Sequence, residues 1–269
     1  MENPNMLAEF LILLLPLGLA LAMTQRRVLH GFLLTVCTAV MAICLIYTWS
    51  RGAWLGAMIS LVCFLLLLGN HWFSALVLGV LPGAALLHYL PDTVVRRFTS
   101  IGSMTDTSIR YRVYLWQGVE DMLSDVWLCG VGVGESAFRE VYTQYALPGI
   151  ESAAHSHSLY LQLTAELGVA GLAVFVLCML LLICRVLAYL RGRADRPSKI
   201  MSAAGLCGVL AFLLMGMTDH VWYNYRMFFL FWIVVGLTSA QMRIGCDAIA
   251  SAAPIARNTK TSGEMTLYL

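Results

Sequence analysis

Charge is what this chain has least of. Only 12% of its 269 residues are Asp, Glu, Lys or Arg, where an ordinary soluble domain carries about 25%. With 60% hydrophobic residues and a mean hydropathy of +0.79, that deficit excludes a soluble globular protein and implies a polytopic membrane protein. The net charge of +2 is too small to argue for a nucleic-acid partner, and none is expected. A disulfide framework is also missing. Cys37, Cys44, Cys63, Cys178 and Cys207 lie inside apolar runs and read as small buried hydrophobes. Cys129 alone falls in the long polar loop, so no disulfide can form within it. A secretory signal is not expected from the polarity: Glu2 precedes the first apolar run, while Arg26 and Arg27 follow it.

What is present is a series of membrane-length runs. A bilayer core needs roughly 20 helical residues, and seven runs approach that length: Met6–Met23, Val28–Tyr47, Gly52–Leu68, Phe73–Leu90, Leu159–Leu187, Met201–Met217 and Met227–Met242. The fifth exceeds what a span requires and is expected to protrude or tilt. Pro16 and Pro82 are expected to kink their helices. The fold class is therefore all-α, a transmembrane helical bundle of about seven spans. Residues 1–90 form a four-helix segment, 91–158 a large structured outer loop with amphipathic helices, 159–243 a three-helix segment and 244–269 a cytoplasmic tail. Short-loop charge sets the orientation. Arg26, Arg27, Arg185, Arg191, Arg193, Arg196, Lys199, Arg243, Arg257 and Lys260 fall on one side; only Arg51 and Arg226 fall in short segments on the other. The first side is cytoplasmic, so the N-terminus, Arg51, the long loop and Asp219–Arg226 face outward.

The polar groups that carry chemistry gather on that outer face. Arg51 sits at the junction of two spans, where an always-charged guanidinium needs an anionic or carbonyl partner or else snorkels as a helix anchor. In the loop, Leu115, Trp116, Val119, Met122 and Leu123 recur at helical spacing over Ile109–Asp125, with Asp106 or Ser108 available as cap. Arg112 lies four residues before Trp116 and shares its face, whereas Arg110 points away. Gly130–Gly134 reads as a flexible turn without the spacing of a nucleotide-binding fingerprint. His155 and His157 follow. In extended chain they point to opposite sides, and no third ligand stands at a spacing that argues for metal. Glu166 lies about a turn inside the fifth run and calls for an arginine partner or a structural hydrogen bond. Glu9 is expected to reach the interface. Asp219, His220 and Arg226 are expected to pair with one another as a lock on a short outer turn, with a catalytic role as the alternative.

Four stretches carry a family resemblance. They are Asn3-Pro4-Asn5-Met6-Leu7-Ala8; Ser50-Arg51-Gly52-Ala53-Trp54; Arg112 to Trp116 with Gly130–Gly134 and Phe138; and His155 to Gln162 with Glu166-Leu167-Gly168. Together, in this order, they resemble the O-antigen ligase and O-antigen polymerase superfamily of bacterial envelope enzymes, over about residues 3–240. Two departures stand out. Relatives are expected to have several helices before the NPN segment, so the chain reads as the second part of a longer architecture. Ser158 stands where the family usually has Asn.

The resemblance implies a metal-independent glycosyltransferase with no cofactor, in the bacterial cytoplasmic membrane, working on its outer face. The donor would be an undecaprenyl-diphosphate-linked glycan. The acceptor would be a sugar hydroxyl on another glycan or on lipid A core, within lipopolysaccharide or other envelope biogenesis. The chemistry is consistent with the residues. Fixed guanidinium groups stabilise charge that develops on a leaving diphosphate. An imidazole, ordinarily titrating at about 6.5, can take a hydroxyl proton at neutral pH. The implied catalytic residues are His157, Arg51 and Arg112. Arg51, Arg112, Arg110, His155, Glu166 and Arg226 form the candidate substrate-binding set, with solvent or headgroup contact as the alternative for Arg110. Membrane lipids are the remaining partners. A transporter of lipid-linked glycan is the competing class, but it should show internal repeats and charge near the midplane. An inactive truncated fragment is the third possibility.

Overall fold

The computed structural model describes residues 3–69, 92–99 and 106–264. Among these residues there are helices and no strands. They are α1 (Pro4–Thr24), α2 (Val28–Ile46), α3 (Arg51–Leu68), α4 (Asp92–Thr99), α5 (Thr107–Val126), α6 (Glu135–Tyr142), α7 (Leu159–Arg191), α8 (Arg196–Met215) and α9 (Tyr225–Glu264). Six are long and apolar enough to cross a membrane: α1, α2, α3, α7, α8 and the Tyr225–Cys246 part of α9. The expected fourth span, Phe73–Leu90, lies outside the described residues, as does Pro82. The chain is thus an all-α, multi-pass membrane protein.

The helix starts follow local chemistry. Asn3 caps α1 by accepting the Asn5 N–H at 2.9 Å, and Pro4 occupies the first turn, where a missing N–H costs nothing. Asp106, rather than Ser108, caps α5, accepting from the Ser108 and Ile109 N–H groups. Ser158 caps α7 through Leu161, so here its hydroxyl meets the backbone requirement. α1 runs through Pro16 as one helix.

α8 is the centre of the bundle, with 78% of its span buried, against 6% for α2, whose sides are left to lipid. The reason is its run of small residues. A Cβ at Gly208 would stand 2.4 Å from the Leu13 carbonyl of α1, and one at Gly56 of α3 would stand 2.8 Å from the Ala211 carbonyl of α8. Without a hydrophobic drive inside a bilayer, such close backbone approach supplies the packing. Ser60 Oγ adds a hydrogen bond to the Cys207 carbonyl at 2.8 Å. Of the cysteines expected to be buried, only Cys207 is; Cys37, Cys44 and Cys178 lie on outer helix surfaces.

The long loop between α4 and α7 has its own core, in which Leu115, Val119 and Met122 of α5 meet Phe138 and Tyr142 of α6. It is locked to α7 by a backbone crossing. α7 breaks at Gly168, whose φ of +69° is left-handed, and a Cβ there would stand 2.0 Å from the Leu128 carbonyl. At Gly130, also at φ +69°, a Cβ would stand 2.6 Å from the Glu166 carbonyl. Val131 donates to the Ala165 carbonyl at 2.7 Å, and Val169 donates to the Trp127 carbonyl at 2.8 Å. The glycine run is therefore a fixed splice, not the flexible turn expected. The excess length of the fifth span is explained as well, since its first turns belong to the loop. Gly168→Ala is expected to destabilise the protein by more than about 1 kcal/mol, because both φ and space are wrong. A lowered unfolding midpoint and faster proteolysis within 106–158 would register it; an unchanged midpoint would mean that the crossing is not tight.

Candidate functional site

The start of α1, the start of α3, the loop, the start of α7 and the 216–224 turn meet at one end of the bundle. Their hub is Asp219, buried to 7% exposure. Its Oδ2 accepts from Asn5 Nδ2 at 2.8 Å and lies 3.9 Å from Arg112 Nη2. Its Oδ1 lies 3.1 Å from His157 Nδ1 and accepts the His220 N–H at 2.9 Å. Burial, the largest influence, pushes the Asp219 carboxyl up. The hydrogen bond and charge of His157, followed by Arg112, outweigh it and hold the group below the ordinary carboxylate range. The expected lock with Arg226 is thereby corrected. Arg226 is exposed and lies over the Tyr225 ring at 5.5 Å, while Asp219 turns inward to residues from across the chain. Glu9 is likewise inside the bundle, at 4% exposure, instead of at the interface.

Arg51 and Arg112 line one small polar cavity of about 130 Å³ together with Asn5, Ser50, Thr218 and Asp219. Arg51 is held by Asp106 in a two-pronged ion pair, Nη1 to Oδ2 and Nη2 to Oδ1, both 3.0 Å. The hydrogen bond from Arg51 keeps the Asp106 carboxyl below its usual range. Arg112 has a buried Nε with no hydrogen-bond partner among the described residues. Arg110 is exposed on the other side of α5, as the 100° helical step requires. Trp116, one turn on from Arg112, donates Nε1 to the Ser156 carbonyl at 2.9 Å and so fastens α5 to the histidine loop.

Two non-glycine residues have positive φ among the described residues, Trp49 at 59° and His157 at 49°. Both adjoin this site, and such conformations persist where surrounding structure holds them. The turn at His157 overturns the expectation that His155 faces away: the two rings lie 4.2 Å apart. The His157 N–H donates to His155 Nδ1 at 3.2 Å, which leaves the proton of neutral His155 on Nε2. Tyr111 approaches His157 edge-on at 5.9 Å. Glu166 has no arginine partner among the described residues. It accepts from Gln162 Nε2 at 2.9 Å and the Gly134 N–H at 3.3 Å, while Gln162 Oε1 accepts the Ser156 N–H at 2.8 Å.

Burial, reinforced by His157, drives His155 down to about 3, and burial drives His220 down to about 4. In the unfolded chain both titrate near the ordinary value of about 6.5. Below that pH the unfolded state binds protons that the folded state refuses, so stability falls as pH drops from about 6.5 towards 4. Asp219, with its depressed value, adds a loss only at still lower pH. Thermal unfolding in detergent should therefore show midpoints that are flat above neutrality and decline through the mildly acidic range. The double change His155→Asn and His220→Asn should flatten the decline; an equally steep decline in that variant would refute the assignment.

These features define a multi-pass membrane protein with a polar site at one end of its bundle. A family model described as O-antigen ligase matches residues 36–176, more than half of the chain, and the chain belongs to that family. No curated protein matches the chain. The matched stretch holds Arg51, Arg112, His155, His157 and Glu166. Asn5 and Asp219 lie outside it and complete the same cluster. Sequence reasoning gave Asn5, Asp106 and Gln162 no site role. The one available signal was an acidic residue in a short turn next to two spans, at Asp219. Membership carries a glycosyl-transfer type of function in O-antigen biosynthesis, with lipid-linked glycan and acceptor substrates in general terms.

Proposed function

We propose that this protein transfers a glycan from an undecaprenyl-diphosphate carrier to a sugar hydroxyl on the outer face of the cytoplasmic membrane. The observation that carries the reading is the convergence of Arg51 and Arg112 on one polar cavity whose wall is the Asp219 carboxylate bonded to His157. In this reaction the acceptor oxygen attacks the anomeric carbon, and the bond from that carbon to the diphosphate oxygen breaks. The electron pair leaves with the lipid diphosphate, and the acceptor proton passes to His157. With Nδ1–H donated to Asp219, neutral His157 presents its lone pair at Nε2. Arg112 meets the leaving diphosphate, its Nε being without a partner among the described residues. Arg51 already holds a two-oxygen anion, the Asp106 carboxylate. A phosphate offers the same forked geometry, so donor binding exchanges one anion for the other. One turn deeper, an apolar cavity of about 420 Å³ between α1, α2 and α3, lined by Ile12, Leu45, Trp54 and Phe64, supports a prenyl carrier. A flippase reading draws no support, because the charged cluster lies at one end of the helices instead of along them.

The test is a deletion strain. Undecaprenyl-linked glycan should accumulate and its transfer product disappear, with both restored by the intact gene; a normal product level would sink the reading. Orientation is tested separately, with Cys129, which is exposed, kept as the sole cysteine. An impermeant maleimide should label it from outside the cell, and should not label a cysteine placed at Arg193. The reverse pattern would put the site on the cytoplasmic face.

A further inference from the structure

A second cavity, of about 550 Å³, lies on the far side of the histidines from the arginine pair. That volume falls within the roughly 300–1,000 Å³ of small-molecule sites. Its walls come from the Gly134–Glu135 turn, the first turns of α7 and the 220–223 turn. One wall is aromatic, with Trp222, Tyr223 and Phe228; another carries Glu135, Gln162 and Glu166. No lysine or arginine is among the described residues lining it. Trp222 Nε1 and His220 Nδ1 are buried and have no hydrogen-bond partner among the described residues. Buried groups of this kind are few in native proteins, and each calls for a partner. His155 and His220 face this cavity, while Arg112 and Asp219 face the other. His157 touches both sets, at 4.2 Å between ring centres to His155 and 3.1 Å to Asp219.

The donor and acceptor pattern selects the ligand. An indole N–H can only donate, so its partner must accept. Carboxylates accept, so their partner must donate. A phosphate or carboxylate ligand would set its charge against Glu166, Glu135 being already paired with Arg139, and an ammonium group cannot accept from Trp222. A sugar hydroxyl does both, and the apolar face of a sugar ring lies well on an aromatic side chain. We propose that this cavity binds the acceptor as an uncharged saccharide, with Trp222 and Tyr223 as its stacking wall and Glu135 and Gln162 as hydroxyl partners. This deepens the transferase reading and rests on it for the word acceptor. It puts the incoming hydroxyl on one side of His157 and the diphosphate on the other.

The probe is the organism's own envelope oligosaccharide, released by mild acid, labelled at the reducing end and split by anion exchange into neutral and acidic fractions. Equilibrium dialysis against the full-length detergent-solubilised protein should show retention of the neutral fraction in preference to the acidic. Tyr223→Ala and Glu135→Gln, both at exposed positions, should weaken retention by about tenfold. Trp222→Phe, which keeps the packing against Phe175 and Phe231 but loses the N–H, should weaken it too. Lipid-linked glycan that co-purifies with the protein should be unchanged in all three. Preference for the acidic fraction, no retention of the neutral one, retention unchanged in every variant, or a fall in co-purified donor would each overturn the proposal. Neutral saccharide binding in a protein that transfers nothing would sink the transferase reading and leave this saccharide site standing.

Discussion

Arg112→Lys should lower glycan transfer by about 30- to 1000-fold, the rate equivalent of losing one directed charge contact to a leaving group, about 2–4 kcal/mol. Lysine keeps the charge but not the planar fork, and the position uses the fork: Arg112 reaches towards Asp219 with Nη2, while its buried Nε has no hydrogen-bond partner among the described residues. Arg51→Lys should be damaging for a related reason. Two parallel bonds to Asp106 hold the guanidinium in place, and an ammonium cannot reproduce both. Arg110→Ala, on the exposed side of α5, should stay within a few-fold of wild type, as exposed charges usually do. Transfer rates from purified lipid-linked donor, with expression and detergent-extracted yield held equal, are the measurement. Equal tolerance of all three changes would remove the arginine cavity from the chemistry.

The second large effect concerns the His157–Asp219 pair. His157→Gln keeps a hydrogen-bonding side chain but cannot take a proton, and transfer should fall by about 100- to 10,000-fold, the range that general acid–base catalysis supplies. Asp219→Asn should fall by a similar factor by a different route. The amide can turn its NH2 towards His157, which favours the tautomer with the proton on Nε2 and blocks that atom as base. The same change leaves Asn5 and Arg112 facing a neutral group, so co-purified donor should also be altered in Asp219→Asn while remaining intact in His157→Gln. Near-normal transfer by His157→Gln would assign His157 to positioning and leave catalysis to the arginines.

The spans were legible because a membrane helix needs only a long apolar run, and α1, α2, α3, α7, α8 and α9 each hold one. The inward choice of Arg112 over Arg110 was legible from the helical step. The hub was not. Nothing in the spacing of residues 5, 112, 157 and 219 announces that they meet, because four separate elements bring them together. His155 was misjudged for a local reason. Alternation assumes extended chain, and His157 at φ 49° turns the backbone so that both rings fall on one side. The glycine run was misjudged because composition suggests mobility, whereas Gly130 and Gly168 are small so that two backbones can cross. Arg51 showed its need for an anion in the sequence but not that Asp106, 55 residues on, meets it.

The bond from Asn5 to Asp219 joins residues 214 positions apart. Asn5 emerges from the ribosome with α1, and Asp219 only after α8. While α8 is being made, the arginines and histidines are therefore present without the carboxylate that holds them together. Closing so long a ring is slow compared with forming a helical hairpin, so the site closes only once α8 and the 216–224 turn are in place. A chain inserted only as far as α7 therefore holds an open hub, with Asn5, Arg112 and His157 still lacking their shared carboxylate.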